Sequence, residues 1–373
     1  MTENIISVTM PKWGLAMKEG SVVKWLKEVG DEIKKGEPFV EIETEKVVNE
    51  FDSPEEGILI KKCADLDEKI PVGSLLALFS NTKEVSENAI EKYINNFQEN
   101  FKKTSKTDSD DTLSSKKINI NGFEINYLQL GNSNSKNILL IHGFGGDLNN
   151  WMFNQEELSK NFNVFSLDLP GHGLSSKDFE EITIANLSET IVEFCKSNNI
   201  EKVNLIGHSL GGGIALKCAI DYSDLVESLT LISPIGLGKE IESSYLENFI
   251  SADSRRELKT ELEKLYFDSS IITRDLVNEV LKIKRIDGSI NSLELIKNEI
   301  LNNGNQKNNF IDEINKINIP ILLIWGQEDK IIPSIHIKNL NKEITIKIIS
   351  ECGHMAHIEK PQEVNLLIKE SLN

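Results

Sequence analysis

The sequence predicts a multidomain chain with an N-terminal all-β domain over residues 1–80, a linker over 81–116 and a C-terminal α/β domain over 117–373. The last would have a mostly parallel sheet and a helical cap at about 236–318. Three observations carry this. The first 80 residues are short β-rich runs punctuated by Gly14, Gly20, Gly30, Gly36, Gly57 and Gly73, the rhythm of a compact all-β module. The next stretch turns to Asn, Lys, Glu, Ser and Asp, as in a solvated connection. Beyond it, apolar runs alternate with helical patterns, which places helices on the faces of a parallel sheet. A length of 373 residues agrees with two or three units.

The formal charge of −18 narrows the partners. Nucleic acid and anionic membranes both demand clustered positive charge, so neither is expected. The first 20 residues mix Glu3, Lys12, Lys18 and Glu19 into their apolar positions and lack the apolar stretch of a secretory signal. No run is long enough to span a bilayer. Cys63, Cys195, Cys218 and Cys352 are scattered without a C-x-x-C pair, the pattern of reduced, buried thiols in a cytoplasmic protein.

Within the all-β module, Glu41-Ile42-Glu43-Thr44-Glu45-Lys46-Val47-Val48-Asn49-Glu50-Phe51 sets Lys46 between two strand-like halves. Its amine would stand at the tip of an exposed hairpin, a place suited to a covalently attached arm. In the linker, Ile90, Tyr93, Ile94, Phe97 and Phe101 recur at helical spacing and predict a short amphipathic helix over 87–102. That stripe would dock on a neighbouring domain or on a partner. Fully extended, the linker would reach roughly 115 Å.

The α/β domain opens on Asn121-Gly122 between two strand-like runs, a strong hairpin signal. Strands are expected at 138–141, 164–167, 203–206, 228–232 and 321–325, each apolar enough to be buried on both faces. Gly207-His208-Ser209-Leu210-Gly211 follows one of them and precedes a helical run, the strand-turn-helix setting in which a serine hydroxyl is lifted clear of a sheet.

A nucleophilic serine needs a base, and the base needs a carboxylate to orient it. His354, on a loop after a late strand, is the candidate base, with His357 as runner-up. Asp329, just after the strand ending at Trp325, is the candidate acid, its neighbour Glu328 being expected to point away. The order Ser209, Asp329, His354 is the order such a fold uses. His142-Gly143-Phe144-Gly145-Gly146 follows the strand at 138–141, so the backbone N–H groups of Phe144 and Leu210 are the candidate oxyanion hole. His142 and the Asp168–Ser175 segment are expected to shape turns, and Cys352 to be a small buried apolar residue.

Together these strings closely resemble the α/β-hydrolase family across 117–373. The first 80 residues resemble lipoyl domains, in Met10-Pro11-Lys12-Trp13-Gly14, Gly30-Asp31, Gly36-Glu37, Ser53-Pro54 and Pro71-Val72-Gly73 as well as around Lys46. Biotin carriers usually flank their lysine with methionines, whereas Glu45 and Val47 stand here, so the resemblance implies a barrel-sandwich domain with covalent lipoate on Lys46. Glu45 stands where aspartate is common.

The combination resembles the acyltransferase components of acetoin dehydrogenase complexes. That resemblance implies a thiamine-diphosphate-dependent acetoin dehydrogenase component that loads acetyl onto the arm. It also implies a dihydrolipoamide dehydrogenase, coenzyme A as acceptor, and an oligomeric multienzyme complex. No His-x-x-x-Asp-Gly motif and no clear peripheral-subunit-binding domain is found, so trimeric core assembly is not carried over. Two alternatives stay open: a lipoylated serine hydrolase, and a carrier or scaffold serving other chains. Arg255, Arg256, Lys282, Lys284 and Arg285 in the cap could meet the phosphates of coenzyme A or form a solvated helix face.

Overall fold

A computed structural model describes residues 5–11, 19–43, 48–82, 85–107, 115–340 and 343–372. The chain divides into two units, Met1–Leu113 and Ser114–Asn373.

In the first unit, β1 (Ile5–Thr9), β2 (Glu19–Trp25), β3 (Glu32–Ile33), β4 (Pro38–Glu43), β5 (Val48–Asp52), β6 (Gly57–Lys62), β7 (Lys69–Pro71) and β8 (Leu75–Ser80) form two four-stranded sheets, ordered β1-β8-β6-β3 and β5-β4-β2-β7. Side chains from both sheets meet between them, and every residue of β8 is buried. Val8, Val22, Phe39, Ile42, Leu59 and Phe79 make the core, in which Phe39 meets Phe51 and Phe79 at 5.6 and 5.5 Å. Strands β4 and β5 pair antiparallel up to Glu43 opposite Val48. Lys46 therefore falls in the connection between two paired strands, which itself lies outside the described residues.

Helix α1 (Glu87–Thr107) runs five residues past the end that the apolar spacing predicts. Propagation costs little once a helix is nucleated, and 103–107 contains no Gly or Pro to stop it. Its half-buried stripe packs on the β-domain: Tyr93 Oη donates to Ser7 Oγ at 3.4 Å, and Phe101 stacks on Phe97 at 6.3 Å beside Gly73. Of the predicted 115 Å tether, 21 residues are thus taken up by a helix about 32 Å long.

The second unit is built on an eight-stranded sheet. It begins with the hairpin β9 (Lys116–Ile120) and β10 (Phe123–Leu130), joined through Asn121 and Gly122 at φ 53° and 91°, the left-handed pair that a two-residue turn demands. Then follow β11 (Asn137–Ile141), α2 (Met152–Ser159), β12 (Asn163–Leu167), α3 (Ile184–Ser197), β13 (Val203–His208), α4 (Leu210–Asp221) and β14 (Val226–Ile232).

The cap comprises α5 (Ser243–Ser251), α6 (Arg255–Leu262), α7 (Arg274–Lys284), α8 (Ser289–Ile300), a short hairpin of β15 (Leu301–Asn302) and β16 (Asn305–Gln306), and α9 (Ile311–Ile314). The hairpin is the one departure from an expected strand-free insertion. β17 (Ile321–Gly326), β18 (Thr345–Ile349), α10 (Ala356–Glu359) and α11 (Pro361–Leu372) complete the chain.

The sheet order is β18-β17-β14-β13-β11-β12-β10-β9, parallel from β18 to β12 and antiparallel at β10 and β9. One apolar cluster covers each face, which is why the central strands are continuous Val, Leu and Ile rather than alternating. No described helix is long and apolar enough to cross a membrane.

Candidate active site

Ser209 occupies the sharp turn between β13 and α4 at φ 53° and ψ −114°, a conformation that costs a non-glycine residue about 1–3 kcal/mol. Surrounding bonds hold it there. Its N–H donates to Ile232 at 2.9 Å, and its carbonyl accepts from Gly213 and Ile235 at 3.1 Å each. The flanking glycines serve close approach rather than left-handed geometry. A Cβ on Gly207 would lie 2.3 Å from the Gly211 carbonyl oxygen, and one on Gly211 would lie 2.2 Å from that of Ile141.

Asp329 follows β17, and all of its acceptor directions converge on donors. Oδ1 accepts from the N–H groups of Ile331 and Ile332 at 2.8 and 3.0 Å. Oδ2 accepts from Trp325 Nε1 at 3.1 Å and from His354 Nδ1 at 2.8 Å. With Nδ1 committed as a donor, the other ring nitrogen of His354 carries its lone pair. His354 and Ser209 line the same cavity, and both are buried. Glu328 turns away, accepting from the Cys352 N–H at 2.9 Å.

Three contacts that motif reading did not reveal position the His354 loop. His208, inside the serine motif itself, donates from Nε2 to the His354 carbonyl at 3.0 Å. The His354 N–H donates to Leu265 of the cap at 2.8 Å. Glu359 accepts from Gly353 and Phe267 at 2.7 Å each, and its burial raises its pKa. Only Glu359 left a sequence signal, a carboxylate six residues past the loop glycine.

His357, the alternative base, is fully buried with neither ring nitrogen hydrogen-bonded. It stacks between Trp151 at 4.4 Å and His208 at 4.7 Å, and burial pushes its pKa down to about 3. It packs the site from behind.

His142 accepts from the Leu169 N–H at 3.0 Å and donates to the Gly143 carbonyl at 2.8 Å, holding the Gly143–Gly146 loop against β12. Asp168 accepts from Leu148, Leu174 and Asn126 at 2.7–2.8 Å and so fastens the turn beneath. Desolvation holds the Cys352 thiol up at about 12, out of reach of a second nucleophilic role.

Phe144 lines the cavity on the loop after β11. Leu210 is the first residue of α4, so its N–H has no acceptor within the helix. The cavity is small, about 60 Å³, and its walls are mostly apolar: Phe144, Ile235, Tyr245, Leu246, Phe249 and Tyr266 among them. Seven of the lining residues, Tyr245, Leu246, Phe249, Leu262, Leu276, Val280 and Ile300, come from α5–α8, so the cap contributes a wall of the cavity.

The basic residues of the cap face elsewhere. Asn278 and Lys282 stand on the side of α7 opposite Leu276 and Val280, which line the cavity. Arg255 Nε donates to Asn278 at 2.6 Å, and Arg285 donates to the Asp253 carbonyl at 3.2 Å. This is the solvated face of the two alternatives. Lys284 is the exception and is buried. Among the described residues, no cluster of His, Cys, Asp and Glu would hold a metal ion.

Comparison with known proteins agrees on both units. The alpha/beta hydrolase fold family matches residues 136–272, and a family described as biotin-requiring enzyme matches residues 6–79. The chain is 35% identical over 372 residues to the dihydrolipoyllysine-residue acetyltransferase component of the acetoin cleaving system of Cupriavidus necator, covering 100% of this chain and 98% of that one. Its identity to the protein of the same description from Pseudomonas putida is 36%, covering 97% and 96%.

A meta-cleavage product hydrolase from Pseudomonas fluorescens IP01 superimposes with a TM-score of 0.63 at 22% identity, over 69% of this chain and 97% of its own. The 2-hydroxy-6-oxo-6-phenylhexa-2,4-dienoate hydrolase from Rhodococcus sp. strain RHA1 gives 0.63 at 18% identity, over 70% and 99%. These two carry the fold alone.

Proposed function

The chain belongs to the dihydrolipoyllysine-residue acetyltransferase components of acetoin cleaving systems, acyltransferases with a lipoyl-type domain ahead of an α/β-hydrolase fold, and from that premise we propose that it passes acetyl from lipoyl-Lys46 to coenzyme A through Ser209. The observation that carries this is the Asp329–His354 bond of 2.8 Å beside the strained Ser209 in one apolar cavity. Lys46 fits an arm: it lies in the connection between the paired strands β4 and β5, and β5 is the edge of its sheet. When attached, lipoate supplies the acetyl thioester.

Everything else falls to the chain's own residues. His354 takes the Ser209 proton at its free ring nitrogen as Oγ attacks the thioester carbonyl, while Asp329 holds the ring and balances the imidazolium. The N–H groups of Phe144 and Leu210 receive the oxyanion. Collapse breaks the carbon–sulfur bond, and His354 returns its proton to the departing thiolate, leaving acetyl on Ser209. The thiol of coenzyme A then gives its proton to His354 and attacks the ester carbonyl, and Ser209 leaves reprotonated. The apolar roof favours the thiol over water, so hydrolysis of the acyl-serine is slow rather than absent. A thiamine-diphosphate-dependent acetoin dehydrogenase component would load the arm, and a dihydrolipoamide dehydrogenase would reoxidise it.

The test presents acetyl-dihydrolipoamide to the full chain and to Ser209→Ala, with and without coenzyme A. Acetyl-coenzyme A should form only with the intact serine, the variant falling by about 10⁴-fold or more. Undiminished formation by the variant would remove the serine relay. Acetate as the sole product of the intact chain would make it a hydrolase instead.

A further inference from the structure

The cavity over Ser209 is walled in part by an aromatic ring that is itself held by a buried amine, and none of the steps above uses that amine. Phe249, on α5, is fully buried, and the tip of its ring rests on the loop carrying Phe144. A Cβ on Gly145 would stand 2.5 Å from Phe249 Cε1 and 2.7 Å from Cζ. The ring meets Phe144 at 5.9 Å and Tyr245 at 5.8 Å, so the three aromatics form one wall of the cavity.

Lys284, the last residue of α7, reaches across to the end of α5. Its ammonium donates to the carbonyl of Phe249 and, at 2.5 Å, to that of Ala252, and lies 4.9 Å from the centre of the Phe249 ring. Among the described residues it has no carboxylate within ion-pair distance. A buried ammonium is costly unless its protons are all engaged. Here they meet carbonyls that the end of α5 leaves without intrahelical donors, where the helix dipole favours positive charge, and the face of an aromatic ring. Burial still draws its pKa down to about 8. An energetically expensive residue is thus used to fix a cap side chain that touches the oxyanion loop.

We propose that Phe249, pinned by Lys284, is the acyl-length gauge of this site: it closes the cavity just beyond the acyl carbon, admitting a two-carbon acyl group at Ser209 and refusing longer chains. The proposal rests on Ser209 being the nucleophile. Leu262, Leu276, Val280 and Ile300 of the cap line the same cavity with Phe144, Tyr245 and Phe249, so what limits an alkyl tail is the small volume, about 60 Å³, and not a polar wall. Removing the ring would open room under α5 without touching Ser209, Asp329 or His354.

The experiment compares kcat/KM of the full-length chain on p-nitrophenyl acetate, butanoate and hexanoate. The variants are Phe249→Ala, Phe249→Leu, Lys284→Met and Ser209→Ala, each with its thermal midpoint recorded. The hexanoate-to-acetate ratio should rise about 10-fold or more in Phe249→Ala, the scale on which pockets discriminate methylene groups. Phe249→Leu should rise less, and Lys284→Met should move in the same direction because the ring is released. A wild-type ratio in folded Phe249→Leu or Phe249→Ala overturns the gauge while leaving the serine relay intact. A lowered midpoint with a wild-type ratio in Lys284→Met removes the lysine from the mechanism. Hydrolysis that survives in Ser209→Ala overturns the underlying reading instead.

Discussion

The two units of this chain solve different problems with different residues. The β-rich unit has a single apolar core between two four-stranded sheets, and it contains no histidine at all. The larger unit layers two apolar clusters on one sheet and holds all six histidines of the chain, every one buried. A scaffold that presents one lysine in a strand connection needs only a rigid frame. A site that moves protons needs its base oriented and the rings packed in this unit uncharged, and burial does the second. Five of the six, His142, His172, His208, His336 and His357, have pKa values below the ordinary value, with desolvation as the largest cause in each.

The sharpest way to separate the units is Asp329→Asn. The amide would keep the shape but not hold His354 in its Nδ1–H form, and acetyl transfer should fall about 10⁴-fold. Lipoylation of Lys46, followed by mass spectrometry, should be untouched. Transfer reduced less than tenfold would show that Asp329 does not orient the base.

Next in size is Phe39→Ala. Phe39 is fully buried and packs on Trp25, Phe51 and Phe79, so its truncation should remove about 3–5 kcal/mol from a unit of modest stability. Calorimetry should show the small unit melting early, with hydrolysis of p-nitrophenyl acetate by the large unit retained. Simultaneous loss of both would mean that the units fold as one.

Acid provides the mildest contrast. The His357 pKa is about 3 when folded and near 6.5 when unfolded, so unfolding takes up a proton below pH 6.5. Its contribution to stability is whole above pH 6.5 and is lost as pH falls toward 3, the loss being about 2 kcal/mol by pH 5. The other four lowered histidines act in the same direction. Asp147, held up at about 7 by burial and by Asp168, opposes them, because its folded form gains protons first as pH falls. From pH 7 to pH 5 the melting transition of the large unit should move down while that of the histidine-free unit stays. Equal shifts in both would assign acid sensitivity to carboxylates common to the two.

Much of this molecule was legible before any coordinates, and the legible parts share a property. The Asn121-Gly122 hairpin, the Ser209 turn and the parallel strands are local patterns, in which neighbours along the chain dictate backbone geometry. The serine motif also announced its glycines, and the structure gives their reason at 207 and 211 as close backbone contact. The extent of α1 was less legible, because helix propagation past Lys102 depends on the absence of a breaker rather than on an apolar signal.

The sequence ranked His354 ahead of His357, but with both late in the chain and three residues apart it held no contact that would separate them. Packing separates them: one ring meets Asp329, 25 residues earlier, and the other stacks on Trp151 and His208 with neither nitrogen hydrogen-bonded.

By itself, then, the sequence determined the two fold types, the motif residues and the lysine between two strands, because each is written within a few residues of chain. Tertiary structure alone decided that His208 steadies a loop 146 residues away, that the cap arginines face outward, and that Lys284 holds Phe249 across the cavity roof. Those contacts depend on where helices and loops distant in sequence come to rest, and burial then fixes which groups meet and which charge they carry.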